Sequence, residues 1–339
     1  MSWLSDDEDE DRYSDYEVRV RPNPKGSRAR TKIRPSHSNA IVGRVLGVDR
    51  GRYQVLVSEN LAEERELTAS RARELRNDPV VVGDHVELVG DLSGDPGTLA
   101  RIVRIRPRTT VLRRSADDSD SVERIIVANA DQMLIVVAAA EPEPRPRLID
   151  RYLVAALDAK ITPILCITKT DLTDPSELIA NFSALNLRML SSARDEFPLK
   201  ELQEVLSGHV TVAVGHSGVG KSTLVNNLVP TANRQTGRVN AVTGRGRHTS
   251  SSTVSYRVGD GWIIDTPGVR SFGLGHVDRE NIIAGFSDLA ELAHDCPRGC
   301  THLSNAPDCA IAEQIEQGAL GDAGMFRLDS LRRLLTALS

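Results

Sequence analysis

Aromatic side chains are scarce, with Phe, Trp and Tyr together making up 4% of the 339 residues. A nucleic-acid surface that works mainly by base stacking is therefore excluded. Long apolar runs are missing as well. The longest uninterrupted one, Met133 to Ala140, is far short of the roughly 20 residues a membrane span takes. The N-terminus is acidic where a secretion leader would be basic and then apolar, so a soluble cytoplasmic protein is expected. Cysteine numbers only four, which is no disulfide framework for a chain of this length. Three of the four lie close together, Cys296, Cys300 and Cys309, and in a reducing compartment such a group suggests a metal site. Excess positive charge is absent too. A net charge of -5 argues against a chain that coats nucleic acid along its whole length, although a local basic patch stays open. No internal repeat is seen.

What is present is globular. Apolar residues make up 40% and charged residues 26%, and the length suggests two or three domains at roughly 100–200 residues each. Residues 1–37 are expected to be a disordered charged tail: Asp6 to Asp15 is acidic, Arg19 to Arg34 is basic, and there is little to bury. The basic part is open to two readings, a solubilising tail or an arm that touches phosphate.

From Ala40 the pattern alternates and is β-branched, broken at Asp49-Arg50-Gly51 as a hairpin would be. With Pro79–Val89 and Thr98–Ile105 it gives about five short strands, most simply an OB-type barrel over 38–112. Arg44, Arg50, Arg52, Arg71, Arg73, Arg76, Arg101, Arg104, Arg106 and Arg108 make it basic. Scattered surface arginines and an RNA-facing barrel are both open.

Residues 113–275 read as α/β. Asp131–Ala139, Thr162–Thr168, Val210–Val214 and Gly261–Asp265 are apolar strands separated by helical stretches, the signature of a mostly parallel sheet with helices on both faces. Gly215-His216-Ser217-Gly218-Val219-Gly220-Lys221-Ser222-Thr223 fits G-x-x-x-x-G-K-[ST] between a strand and a helix, the setting a phosphate loop requires. Its N–H groups would cradle phosphates, Lys221 would reach the β- and γ-phosphates, and the Ser222 hydroxyl would bind Mg²⁺. Asp265-Thr-Pro-Gly268 ends the strand Trp262–Ile264. Asp265 stands where an acid holds Mg²⁺, and Gly268 could offer its N–H to the γ-phosphate. Thr168-Lys169-Thr170-Asp171 fits the [NT]-K-x-D guanine motif. The Asp171 carboxylate would accept the two N–H groups that guanine has and adenine lacks, and Lys169 would lie along the base. Ser191-Ser192-Ala193 is compatible with the small loop that backs guanine O6.

The order of these pieces is permuted. An ordinary GTPase runs phosphate loop, switch, DxxG, then guanine motif; here the guanine motif comes first, so the domain is circularly permuted. Gly244–Thr253 stands where the first switch belongs. Thr249 is chosen as its Mg²⁺ ligand, with Ser250 as rival. Val269 follows Gly268 where a water-orienting Gln is usual, and His248 is the local candidate to orient water. Beyond about Gly275 the chain reads as a helical region, 276–339. Its Cys296, Cys300, His302 and Cys309 form a Cys₃His set suited to one structural Zn²⁺, with His294 as a substitute ligand. Cys166 lies inside a strand and reads as packing.

These residues resemble the RsgA (YjeQ) family of ribosome small-subunit-dependent GTPases. The likeness rests on PVVVGDHVEL, IIVANADQMLIVVAAAEP, LIDRYLVAALDAKITPILCITKTDL, GHSGVGKSTLVNNL, GRGRHT, DTPGVRSFGL and CPRGCTH. It implies a multidomain chain: an OB-fold β-barrel, a central α/β P-loop GTPase that is circularly permuted, and a C-terminal, mainly helical zinc-binding domain. It implies hydrolysis of GTP in late maturation of the 30S subunit, with 16S rRNA as a partner, and a catalytic part for His248. A monomer with no membrane or DNA partner is expected. Two departures stand out. Cluster spacing is three and six residues where the family more often has four and five, and Ser250 to Ser252 stand where threonines are usual. Two other readings compete. One is a nucleotide-gated binding protein with the barrel as adaptor; the other, a P-loop ATPase or small-molecule kinase, would need neither TKTD nor DTPG.

Overall fold

The computed structural model describes residues 37–75, 77–115, 123–185, 187–194, 196–230, 253–266, 272, 274 and 277–338. His248, Thr249, Ser250, Gly268 and Val269, along with the tail 1–36, lie outside the described residues.

The barrel is built from β1 (Ile41–Asp49), β2 (Arg52–Val57), β3 (Arg65–Arg71), β4 (His85–Gly90) and β5 (Ala100–Ile105). β1, β2 and β3 form an antiparallel meander, β5 joins β3 in parallel, and β4 pairs with both β5 and β1, which closes the ring. The β1–β2 turn is the two-residue hairpin that the sequence announces. Arg50 (φ 46°) and Gly51 (φ 81°) carry the paired positive φ angles that match the strands' twist. Alternation supplies the lining: Val45, Tyr53, Val55, Val57, Leu67, Ala69, Val86, Leu88 and Ile102 fill the interior. At the exit Asp84, fully buried, accepts from Arg108 Nε at 2.7 Å and from the Val81 N–H at 2.8 Å.

A two-stranded ribbon, β6 (Val111–Ser115) with β7 (Glu123–Ala128), leads into the α/β part. There follow β8 (Gln132–Ala138), α1 (Pro146–Asp158), β9 (Thr162–Thr168), α2 (Ser176–Ser183), β10 (Arg188–Ser192), α3 (Leu199–Leu206), β11 (Val210–Val214), α4 (Lys221–Leu228), β12 (Val254–Val258) and β13 (Gly261–Asp265). Their order across the sheet is β10-β9-β8-β11-β13-β12, parallel except for β12. The four apolar runs are the four inner strands. The two strands the sequence did not announce are the edges: β10 carries an Arg and two serines, and β12 carries a Ser and an Arg, so neither is a continuous apolar run.

β8 is buried along its length because both faces are covered. Its odd-numbered residues Met133, Ile135 and Val137 enter one core, and Leu134, Val136 and Ala138 enter the other with α3 and α4. The first core continues into the C-terminal helices α5 (Arg279–Ala284), α6 (Ser287–Ala293), α7 (Ala310–Glu316) and α8 (Gly321–Thr336). Ile282, Phe286, Leu289, Ile311, Leu328, Leu331 and Leu334 join Ile149, Tyr152 and Leu153 of α1. Among the described residues no helix is long and apolar enough to cross a membrane.

Candidate functional site

The parallel strands β8, β9, β10 and β11 end along one edge, and their C-terminal loops meet there, which is where open α/β sheets bind ligands. β11 runs into Gly215, where a Cβ would come within 2.5 Å of the Val136 carbonyl oxygen; only glycine lets the loop pass so close to β8. Gly218 and Gly220 have φ of 84° and 90°, and α4 then starts at Lys221. Lys221 is 8% exposed, and its Nζ forms an ion pair with Asp265 Oδ1 at the end of β13. Ser222 and Thr223 are exposed at the helix start, as is Ser217 in the loop. The buried Thr266 hydroxyl donates to Ala213 O at 2.6 Å, tying the residue after Asp265 to β11.

The guanine-motif segment is bound to this loop by one side chain. The buried Thr168 hydroxyl lies 3.0 Å from Val137 O and 2.5 Å from Val219 O, so β8, β9 and the phosphate loop share one hydroxyl. Lys169 Nζ donates to the Glu141 carbonyl. Asp171 Oδ1 accepts the Arg194 N–H at 3.0 Å, and Ser192 O accepts the Thr170 N–H at 3.3 Å. The segments 168–171 and 192–194 are thus one bonded unit.

Between them lies a cavity of about 430 Å³, lined by Thr168, Lys169, Asp171, Ser192, Ala193, Gly220 and Thr223 together with residues the sequence did not single out. That volume lies in the range of small-molecule sites. Ser191 is exposed and does not line it, and His216 faces a separate cavity of about 20 Å³ beside Pro142 and Val219. The unforeseen lining residues include Glu141, Leu172, Arg194, Phe197 and Asn227. Asn227 had a signal, since it lies four residues after Thr223 on the same face of α4. Glu141 had none: it reaches the cavity because the loop after β8 folds back over the phosphate loop, placing Pro142 3.7 Å from the position of a Cβ on Gly218.

The second cluster lies between α6 and α7. One donor atom from each of Cys296, Cys300, His302 and Cys309 falls within 4.8 Å of all the others. His302 Nδ1 is 3.6 Å from Cys296 Sγ and 3.7 Å from Cys309 Sγ. A tetrahedral ion with three sulfurs and one nitrogen has edges of about 3.5–3.8 Å, so these four residues could hold a metal. Burial lowers the pKa of His302, which favours the neutral, ligating imidazole. Burial pushes the Cys300 thiol up to about 11, with the neighbouring Cys309 and Cys296 adding to it. Such crowded thiols would ionise on meeting a cation. His294 is not in the group. Cys166 is fully buried in β9, and burial pushes its thiol up to about 12, as expected of packing.

The barrel arginines divide. Arg108 is paired with Asp84, and Arg44 is paired with Glu59 at 3.0 Å. Arg101 and Arg104 of β5 and Arg106 just beyond it are exposed, the last two against Glu87.

Residues 105–275 match the family described as RsgA GTPase. The small ribosomal subunit biogenesis GTPase RsgA of Pseudomonas fluorescens is 38% identical over 290 residues, covering 83% of this chain and 81% of that protein. The protein of the same name from Pseudomonas aeruginosa is 38% identical over 268 residues, covering 76% of each. The fold is that of a crystal structure of YjeQ from Thermotoga maritima (TM-score 0.64, 23% identity, 88% of this chain and 98% of that one). It is also that of YloQ, described as a circularly permuted GTPase (TM-score 0.63, 24% identity, 89% and 96%). With its guanine-motif strand preceding its phosphate loop and a Cys/His cluster behind both, this chain belongs to the RsgA GTPase family.

Proposed function

We propose that this protein hydrolyses GTP while bound to the small ribosomal subunit during the subunit's maturation, touching 16S rRNA and no DNA, and working as a cytoplasmic monomer. The observation that carries the reading is the Thr168 hydroxyl, which ties the guanine motif to the phosphate loop so that base and phosphate sites open into one cavity. In that cavity Asp171 would read guanine's N1–H and 2-amino group, Lys169 would cover the base, and Ser192 and Ala193 would back O6. The N–H groups of 215–223 and Lys221 would hold the phosphates, and Gly268 would offer its N–H to the γ-phosphate. Ser222, Asp265 and Thr249 (or Ser250) would hold Mg²⁺; hydroxyl and carboxylate oxygens are the donors that ion prefers. Bound there, it neutralises charge on the β- and γ-phosphates. His248 would orient the attacking water. Zn²⁺ is the ion we assign to the Cys₃His set, a closed tetrahedral composition that leaves no open position.

The domain division we propose is a tail 1–37, a barrel 38–112, a GTPase domain 113–275 and a zinc-binding helical domain 276–339, with the β6–β7 ribbon straddling the second boundary. The exposed arginines of β5 would face rRNA phosphates. The test is GTP turnover with and without purified 30S subunits. Subunits should raise kcat by at least about tenfold, roughly 1.4 kcal/mol of barrier. His248→Ala should remove most of that gain while GTP still binds. An unchanged kcat would overturn the subunit dependence, and stimulation surviving in His248→Ala would move the water-orienting role to another group.

A further inference from the structure

Among the described residues, β1 of the barrel pairs with β12 of the GTPase sheet at Gly47 and Val254; Val82 joins the core beneath β8 and bridges Val127, and a separate side-chain cluster lies beside the β1–β12 pair. Its centre is Trp262 of β13, 5% exposed, packed with Leu46 and Leu56 of the barrel. Arg44 from β1 and Arg257 from β12 lie over the ring at 5.5 and 4.9 Å from its centroid, at cation–π range. Glu59 accepts from Trp262 Nε1 at 2.8 Å and from Arg44 Nε at 3.0 Å. Arg257, the cross-strand neighbour of Trp262, donates to Asn60 Oδ1 and Glu64 Oε2, both at 2.8 Å. Burial opposes the charge on Glu59, yet Arg44 and the bond from Trp262 hold its carboxyl below the usual range. The β2–β3 loop is thus bolted by two carboxylates and an amide onto the hairpin β12–β13.

That hairpin is also part of the nucleotide site. Three residues beyond Trp262, about 10 Å along the strand, is Asp265, which pairs with Lys221. At its other end the hairpin turn is fixed by Asp260, whose carboxylate accepts from Ser207 Oγ at 2.7 Å and from the Gly208 N–H at 2.9 Å. The segment read as the switch, 244–253, leads directly into β12. Loading the site must change the partners at the end of β13: a triphosphate draws Lys221, and its magnesium draws Asp265. This argument rests on the nucleotide reading given above.

We propose that the hairpin β12–β13 couples nucleotide state to the barrel, with the Arg44–Trp262–Arg257 stack and its carboxylates Glu59 and Glu64 as the joint. In this account the change of bonds at Asp265 is carried along the short strand, which is held at both ends, and alters the contacts at Trp262. By linkage, whatever the barrel binds must then bias the nucleotide site in equal measure. Glu59, Glu64 and Arg257 are positioning residues in this account and touch no substrate.

The experiment uses the full chain carrying Trp3→Phe, which leaves Trp262 as the one tryptophan. Binding of GDP and of a non-hydrolysable GTP analogue with Mg²⁺ is measured by equilibrium dialysis, and Trp262 emission is followed over the same titrations. The two nucleotides should give different Trp262 emission, each saturating at its own binding midpoint. Arg257→Ala and Glu64→Gln should abolish that difference and change the ratio of analogue to GDP affinity by about fivefold or more. A merely structural joint would lower Tm in these variants without moving the ratio, and that result overturns the proposal. So does emission insensitive to nucleotide while dialysis shows binding. Absence of binding in dialysis would instead strike the nucleotide reading, and this inference with it.

Discussion

Thr168 and Asp171 show how much one side chain can organise. The Thr168 hydroxyl spans to Val137 O and Val219 O, a short group doing what a longer amide could do in its place. Asp171 spends one oxygen, Oδ1, on the Arg194 N–H. In the proposed role it still has to meet two guanine donors. Asp171→Asn keeps an oxygen for Arg194, so the loop should hold its shape, but it turns the other atom from acceptor to donor. GTP affinity should fall roughly 100-fold, about 2.8 kcal/mol, the cost of a donor left facing a donor in a closed site. Xanthosine triphosphate, whose 2-oxo group accepts, should gain affinity. Competition between the two nucleotides in the wild type and the variant checks this; equal GTP binding in both would take Asp171 out of the base site.

At the scale of elements, legibility followed burial. β8, β9, β11 and β13 are buried on both faces and were readable as apolar runs, and the β1–β2 hairpin was readable from Arg50-Gly51. The outer strands β10 and β12 were not: β10, Arg-Met-Leu-Ser-Ser, has no period to detect, and β12, Val-Ser-Tyr-Arg-Val, alternates over only five residues, too short a run to stand out. The phosphate loop and the guanine motif were legible as spacing. Their bond through Thr168, and the folding of Glu141 over Lys169, are tertiary facts that no local pattern carries. The Cys/His cluster was legible because four ligands within fourteen positions (296–309) is a chemical pattern rather than a periodic one. It closes a connection between α6 and α7 with no regular structure, a length that usually needs a staple. Cys296, Cys300, Leu303, Ala306 and Cys309 pack from it against the core that α1 shares. One zinc per chain should be found by metal analysis. Stripping it should raise hydrogen exchange across 294–316 and lower Tm, while GTP affinity, set by the loops after β8, β9, β10 and β11, should change by less than about threefold. Pure protein without zinc would refute the assignment.

For the whole molecule, the C-terminal helices are held to the GTPase sheet by a continuous core and by arginines of α8. Arg327 pairs with Asp288 and donates to Ala184 O, and Arg333 pairs with Asp150 of α1 at 3.1 Å and lies over Phe182. Asp150 is 2% exposed, and burial raises its pKa to about 6 even though Arg333 pulls the other way. Arg333 is 35% exposed, so water screens much of its attraction. The sign follows from linkage. A carboxyl that ionises near 6 in the fold and near its ordinary value when unfolded binds its proton more tightly in the native state. Its contribution is therefore fully present below about pH 4 and is lost as pH rises through about 6. Between about pH 5 and about pH 7.5 the loss amounts to roughly 1.4 kcal/mol. Other carboxylates slope the opposite way, so the quantity to measure is a difference. Asp150→Asn resembles the protonated acid, still accepts from Arg333 Nε and does not titrate. Urea unfolding of both proteins at the two pH values should show the variant gaining on the wild type by about 1.4 kcal/mol as pH rises. A gap that stays constant with pH would mean that Asp150 ionises normally in the fold, and that Arg333, not burial, governs the contact between α1 and α8.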